Sequence, residues 1–566
     1  MKEIIQKYVL KNAFDFQGKV NANVVLGAVL KENEALRKEV PKVKTEIEAA
    51  VKEVEKLTLP EIKLKLEKVA PELLLTEKEE EKIEGPLKPL PEAQMGKVAV
   101  RIAPSPSGML HVGNTYGLAL NYEYAKMYQG KFYVRIEDTD PDKIYPPAYE
   151  AIPEDCNWLT DNGVTKVVIQ SSRLGMYYDY AEKLVLQDQA YVCTCPAEPW
   201  RELKKVAKAC PCRTISVKEN QKRYAKMFGE YAEGEAVLRL KTDIKDKNPA
   251  MRDFGIMRIA ERVHPKTGKD SRVWPLMVFS VAIDDHEMGI THVLNGKEHA
   301  DNAAKEKLIM DCFGWKHPVY KHWGRINFED FAVSKSKTRL AIEEGKYLGW
   351  DDIRLPFLKA LRRRGYQPEA FRRFATEIGL SLNDKTVTSE EFWKSINAFN
   401  KEIIEKKANR YFFIDNPLKI TLEKAPTEKV QMDLHPDFPN RGKRTLLVKG
   451  EFFVAESDVE KLNSTQLHRL MDYGNFMIKG KKYEYVSESY DEFKSAPNRG
   501  LIIHWLPAEE KIAAEVLQED GTIVKGWAEL TLEKVKVGEI VQLERRYFAR
   551  VDKKDKNKIS LWYLHK

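Results

Sequence analysis

Three sets of residues in this chain have types and spacings suited to chemistry. The first is Arg101-Ile-Ala-Pro-Ser-Pro-Ser-Gly-Met-Leu-His-Val-Gly-Asn114. Val98–Ile102 reads as a buried strand, Pro104, Pro106 and Gly108 forbid its continuation, and the apolar-periodic run Gly117–Tyr128 reads as a helix. The chain thus turns from a strand into a helix N-terminus, with His111, Gly113 and Asn114 at the turn. Such a turn offers free backbone N–H groups, a positive dipole end and two neutral donors, a combination that suits a phosphate. Glycine there lets the backbone approach a ligand closely. The second set is Ser334-Lys-Ser-Lys337, rich in hydroxyl and ammonium donors. The third is Cys193-Thr-Cys195 with Cys210-Pro-Cys212, while Cys156 and Cys312 stand alone. Two close pairs of thiols suit tetrahedral Zn²⁺, and four reduced cysteines in a loop are the plainer alternative.

The elements that must position these groups follow from composition and period. At 566 residues and 43% hydrophobic content, several domains with real cores are expected. No apolar run of about 18 residues suggests a membrane span. Met1-Lys-Glu-Ile-Ile-Gln-Lys7 lacks a signal-peptide core, so a cytoplasmic protein is expected, where metal binding is favoured over disulfides. The net charge of +8 is compatible with an RNA partner without being evidence for one. Residues 1–96 read as a helical appendage and linker: amphipathic helices to about residue 75, such as Ala22–Leu36 and Val43–Leu57, then a charged linker from Thr76 to Pro91 that begins Thr76-Glu-Lys-Glu-Glu-Glu-Lys82. Residues 97–191 alternate strand and helix, the grammar of a parallel sheet with crossover helices. Residues 192–272, basic and irregular with the cysteine pairs, interrupt that alternation, and residues 273–340 resume it with Trp274–Ile283. Residues 341–416 read as a helical connector containing the basic cluster Arg362-Arg-Arg364, either a solvated helix face or a phosphate contact. Residues 417–566 alternate short strands and turns, which predicts antiparallel barrels.

The segment Arg101–Asn114 resembles the HIGH-type motif of class I aminoacyl-tRNA synthetases, and Arg-Ile-Ala-Pro-Ser-Pro-Ser-Gly resembles the wording of the glutamyl branch. Ala332-Val-Ser-Lys-Ser-Lys337 resembles the second, KMSKS motif, with Lys335 at the principal lysine position and Ala332 where the first lysine often stands. Trp350–Gly365, Ala408–Ile414, His504-Trp505 and the closing Trp562-Tyr-Leu-His-Lys566 resemble archaeal-type glutamyl-tRNA synthetases. The implied architecture is multidomain α/β plus all-β. It comprises an N-terminal helical appendage, a Rossmann-like catalytic domain split by an acceptor-stem-binding insertion, a helical connector and C-terminal anticodon-binding barrels.

The resemblance implies attachment of glutamate to tRNA(Glu) through a glutamyl-adenylate, with ATP and Mg²⁺ and a structural Zn²⁺ on Cys193, Cys195, Cys210 and Cys212. A monomer is expected, and charging of tRNA(Gln) as well is left open. His111, Asn114 and Lys335 would be catalytic. Pro104, Gly108, Gly113, Ser334 and Ser336 would join them around ATP, and Arg101, Ala103, Ser105 and Glu137 would hold the amino acid. The pocket departs from its relatives at two further positions. Met277, in a segment read as a strand, stands where a tyrosine hydroxyl is expected, and Asn295 where an arginine is expected. Loss of a donor and a charge calls for compensation or for another substrate, because an unpaired buried carboxylate is costly. A glutaminyl enzyme and an inactive paralogue that binds tRNA or a partner are therefore carried as alternatives.

Overall fold

The computed structural model describes residues 1–16, 18–70, 73, 87–329 and 334–566. The charged run Thr76–Lys82 and Ala332 lie outside the described residues. The chain divides into two units, Met1–Gly85 and Pro86–Lys566.

In the first unit, helices α1 (Lys2–Asp15), α2 (Ala22–Glu32), α3 (Val40–Val54) and α4 (Leu59–Val69) share one core. Its residues recur at four-residue spacing, as Ile5, Val9 and Ala13 do in α1 and Ile62, Leu66 and Ala70 do at α4, which puts one apolar stripe on each helix. Asn21 caps α2, and Thr58 with Glu61 forms a capping box on α4.

The second unit opens with three parallel strands, β1 (Ala99–Ile102), β2 (Lys131–Ile136) and β3 (Lys166–Ile169), connected by α5 (Val112–Met127) and α6 (Ala148–Leu159). After α7 (Leu174–Leu186) the chain leaves this sheet. It builds a separate antiparallel one from β4 (Ala190–Cys193), β5 (Val237–Leu240), β6 (Gly255–Ile259) and β7 (Val273–Pro275), with α8 (Ala197–Lys205) and α9 (Val217–Met227) between β4 and β5.

The parallel layer then resumes through α10 (Met277–Glu287), β8 (His292–Gly296), α11 (Ala300–Cys312) and β9 (Val319–Trp323). Thr291 N–H donates to the Ala99 carbonyl at 3.0 Å, and Ala99 N–H donates to Thr291 Oγ1 at 2.9 Å, which seats β8 beside β1. The strand order therefore reverses at β1, between β2 on one side and β8 on the other. Ligands of open α/β sheets gather at such a switch point.

Met277 corrects the sequence reading here, because it is the first residue of a helix and not part of a strand. The β7 ladder ends at Pro275, which has no N–H to continue it, and the N–H groups of Phe279 and Ser280 turn back onto the Leu276 carbonyl.

Beyond β9 lie β10 (Ile326–Phe328), α12 (Lys335–Glu343), α13 (Leu358–Arg364), α14 (Pro368–Ile378), β11 (Lys385–Val387) and α15 (Ser389–Ile404). Two seven-stranded sheets follow. In one, the edge strands Asn409–Tyr411 and Phe413–Asp415 are separated only by Phe412, so the sheet curls until its edges nearly meet. Pairing in these sheets is mixed and not purely antiparallel. Residues 513–517 run parallel to 558–562, because strands adjacent in space are not always adjacent in sequence.

The basic cluster also has a structural role. Arg362 pairs with Glu154, Arg363 bridges Asp351 and Asp552, and Arg364 donates to the Leu564 carbonyl. The Arg363 and Arg364 contacts tie the connector to the final strands.

Candidate active site

β1 delivers the chain to the turn expected to meet phosphate, which neighbouring backbone fixes in place. The carbonyl of Pro104 accepts from Glu137 N–H at 3.1 Å and that of Pro106 from Tyr145 N–H at 2.8 Å. Pro356–Leu358, just before α13, clamps the far side: Val112 N–H donates to Pro356 and Leu358 N–H to Leu110.

α5 starts at Val112, earlier than its apolar period indicates, because His111 and Asn114 form a capping box. Gly113 N–H donates to His111 Nδ1 at 3.1 Å, and His111 N–H donates to Asn114 Oδ1 at 3.0 Å. The amide must be the donor, so the imidazole proton sits on Nε2. Burial, with a smaller effect of the nearby Lys335 ammonium, holds His111 down to about 4, so it is a neutral donor at pH 7.

The expectation of free backbone N–H groups at this turn is corrected. Val112, Gly113 and Asn114 amides already serve Pro356, His111 Nδ1 and the His111 carbonyl. At the start of α5 the side-chain donors are His111 Nε2–H and the Asn114 Nδ2 amide.

Lys335 is the first residue of α12, and Ser334 caps that helix by accepting from Lys337 N–H. The Lys335 side chain crosses Gly108. A Cβ added at Gly108 would lie 3.0 Å from Lys335 Cβ, and φ of +156° makes glycine the residue that fits. Among the described residues Lys335 has no salt-bridge partner, and burial lowers its ammonium pKa. Ser336 is exposed, as is Ser105.

Next to this turn lies a cavity of about 360 Å³. It gathers Arg101, Ala103, Gly113, Asn114, Glu137, Met277 and Asn295 from the predicted set. His111, Lys335, Pro104, Ser105, Gly108, Ser334 and Ser336 do not line it. The predicted residues therefore fall into two groups that share the first turn of α5. One is a deep cavity and the other a shallower turn under Lys335.

The floor of the cavity is a buried ion network, of which sequence reasoning found only Arg101 and Glu137. Arg101, 6% exposed, donates through Nε and Nη2 to both oxygens of Asp285, at 3.0 and 2.9 Å. Arg135 donates through Nη1 to Asp285 at 2.6 Å and through Nε and Nη2 to Glu137 Oε1 at 3.2 and 3.1 Å. Asp284 receives Gln170, Arg173 and Tyr177.

Arg101 thus has Nη1 left for a ligand, and Glu137 has its second oxygen. The missed signal was Asp284-Asp285 inside an otherwise apolar helical run, since adjacent buried carboxylates require arginines. Met277 is 39% exposed at the cavity wall, and Asn295 Oδ1 is held by His322 Nδ1 at 2.7 Å. Neither replaces a cation.

Residues 97–406 match the family described as tRNA synthetases class I (E and Q), catalytic domain. Residues 408–494 and 502–552 match that family's two anti-codon binding domains. The chain belongs to the class I E and Q tRNA synthetases. Over the full length of both chains, this synthetase is 42% identical to the glutamate--tRNA ligases of Thermococcus kodakarensis and Pyrococcus furiosus, and 41% identical to that of Methanothermobacter marburgensis. Among the described residues no helix is long and apolar enough to cross a membrane.

The cysteines of the synthetase's insertion meet in space. Cys193 and Cys210 Sγ are 3.8 Å apart, Cys195 and Cys212 Sγ are 3.7 Å apart, and all four lie within 4.8 Å of one another. A tetrahedral ion with Zn–S bonds of about 2.3 Å has S···S edges of about 3.8 Å, so the set fits zinc. Arg223 Nη1, 3.4 Å from Cys212 Sγ, offsets thiolate charge. Among the described residues this is the one group of three or more His, Cys, Asp or Glu ligands close enough to hold a metal.

Proposed function

We propose that this synthetase attaches glutamate to tRNA through a glutamyl-adenylate. The observation that carries this reading is the convergence of His111 and Lys335 at Gly108, beside a cavity that holds an ammonium partner, in a chain matching glutamate--tRNA ligases end to end. The α-carboxylate of the amino acid is already ionised, so its attack on the α-phosphorus of ATP needs no general base. Catalysis comes from alignment and from donors placed where phosphoryl charge develops. His111 Nε2–H and Asn114 Nδ2 reach the phosphates from the α5 turn, and Lys335 covers them from α12. Glu137 takes the substrate ammonium. Pyrophosphate leaves, and the 2′-hydroxyl of the terminal tRNA adenosine then displaces AMP.

Pyrophosphate exchange measured with each amino acid, with tRNA present, tests the reading. Exchange with glutamate and not with glutamine is the expected result. Glutamine-dependent exchange would replace the substrate, and no exchange with any amino acid would leave a tRNA-binding paralogue. No residue described above separates tRNA(Glu) from tRNA(Gln), so both belong in the charging assay.

Zn²⁺ on Cys193, Cys195, Cys210 and Cys212 would supply structural cross-linking of the insertion and no chemistry at the reacting atoms. Elemental analysis should find about one zinc per chain, and a chelator should unfold the insertion while leaving the parallel-sheet core folded. Less than about half an equivalent would count against the site.

A further inference from the structure

We propose that Glu306 is a specificity residue of the amino-acid cavity, donating a hydrogen bond as a neutral carboxylic acid to the substrate's side-chain carboxylate. Glutamate then binds with uptake of one proton. This rests on the glutamate reading above.

Glu306, on α11, is 4% exposed yet lines the cavity. The groups facing it come from four elements: Asp285 of α10, Arg101 of β1, Arg135 of β2 and Tyr320 of β9. Tyr320 O–H donates to Glu306 Oε2 at 3.1 Å. No salt bridge to Glu306 exists among the described residues, because Arg101 is held side-on by Asp285, and Arg135 by Asp285 and Glu137.

Two buried guanidiniums are thus already matched by two carboxylates, and an ionised Glu306 would be a surplus buried negative charge. Burial, reinforced by Asp285, pushes its carboxyl up to about 7. A dicarboxylate substrate brings one more negative charge beside it and drives the group further toward the protonated form.

Beyond Arg101, the one arginine or lysine on the described lining is Arg325, and it is shared with Glu298. Asn295 is neutral and engaged by His322. Met277 has no donor. His299 and His322 are held below their ordinary range, chiefly by burial, and stay neutral above pH 6.5. Arg325 lies on the cavity lining with its side chain more than half exposed, beside Glu298. A proton on Glu306 changes an acceptor that would repel the ligand into a donor that binds it, next to Arg101 Nη1.

The test is pyrophosphate exchange at saturating ATP, with tRNA present, from pH 6.5 to 8.5 for the wild type and Glu306→Gln. The glutamine amide mimics the neutral acid and keeps the Tyr320 partner. The wild-type KM for glutamate should rise roughly tenfold or more across this range with little change in kcat. Glu306→Gln should remove most of that rise and keep the low-pH KM within about threefold.

A KM that is flat in the wild type, or equally steep in the variant, would overturn the inference. So would loss of activity in Glu306→Gln at every pH with an unchanged thermal transition, since the ionised form would then be the working one. A wild type that shows no glutamate-dependent exchange at any pH would instead remove the glutamate reading, and this inference with it.

Discussion

Lys335→Ala should lower the rate of adenylate formation by about 10²–10³-fold, the scale set by removing one preorganised donor from a developing oxyanion. The tRNA affinity should stay within about twofold. The side chain is half-buried across Gly108 and has no salt bridge among the described residues, so its removal breaks no ion pair described there. The helix it starts is capped by Ser334, and alanine is a better helix former than lysine, so α12 should survive the change. Single-turnover adenylate formation and filter binding of tRNA, measured on the same preparation, separate the two effects. Equal losses in both would assign Lys335 a structural role.

Asp285→Asn should destabilise the catalytic domain by about 3–5 kcal/mol, the usual consequence of breaking a buried ion pair from one side. Asp285 receives three hydrogen bonds from two guanidiniums, at 2.6, 2.9 and 3.0 Å. Arg135 would keep Glu137, whereas Arg101 would keep no ion partner among the described residues. The asparagine amide would also point N–H groups at N–H groups. Calorimetry should show the catalytic domain melting earlier, and the KM for glutamate should rise because Arg101 no longer has a fixed position. An unchanged transition would mean that water reaches the network and screens it.

Local sequence was enough to place much of the site. Proline and glycine after an apolar strand marked the turn, and a helical period after it marked α5. His111 and Asn114 stood at the right offset to reach the same ligand. The cysteine pairs were legible for a similar reason, since each pair is two residues apart and needs only one fold-back to meet the other. These signals depend on backbone geometry over a few residues, which the chain carries with it wherever it packs.

Tertiary structure decided which of these groups are available. The α5 amides looked free until Pro356 and the His111 ring were seen to engage them. Arg101, expected as a substrate ligand, has Nε and Nη2 taken by Asp285, 184 positions away in sequence. The Arg362–Arg364 cluster read as a solvated helix face or a phosphate contact, and its arginines also join the connector to Asp552 and Leu564. Glu306 and Tyr320 carried no local pattern that pointed to the cavity. The sequence by itself determined the reaction class and the strand–turn–helix of the Arg101–Asn114 segment. Only the packed structure decided which charged groups are buried around the cavity beside that turn, because burial and ion pairing depend on neighbours in space and not in sequence.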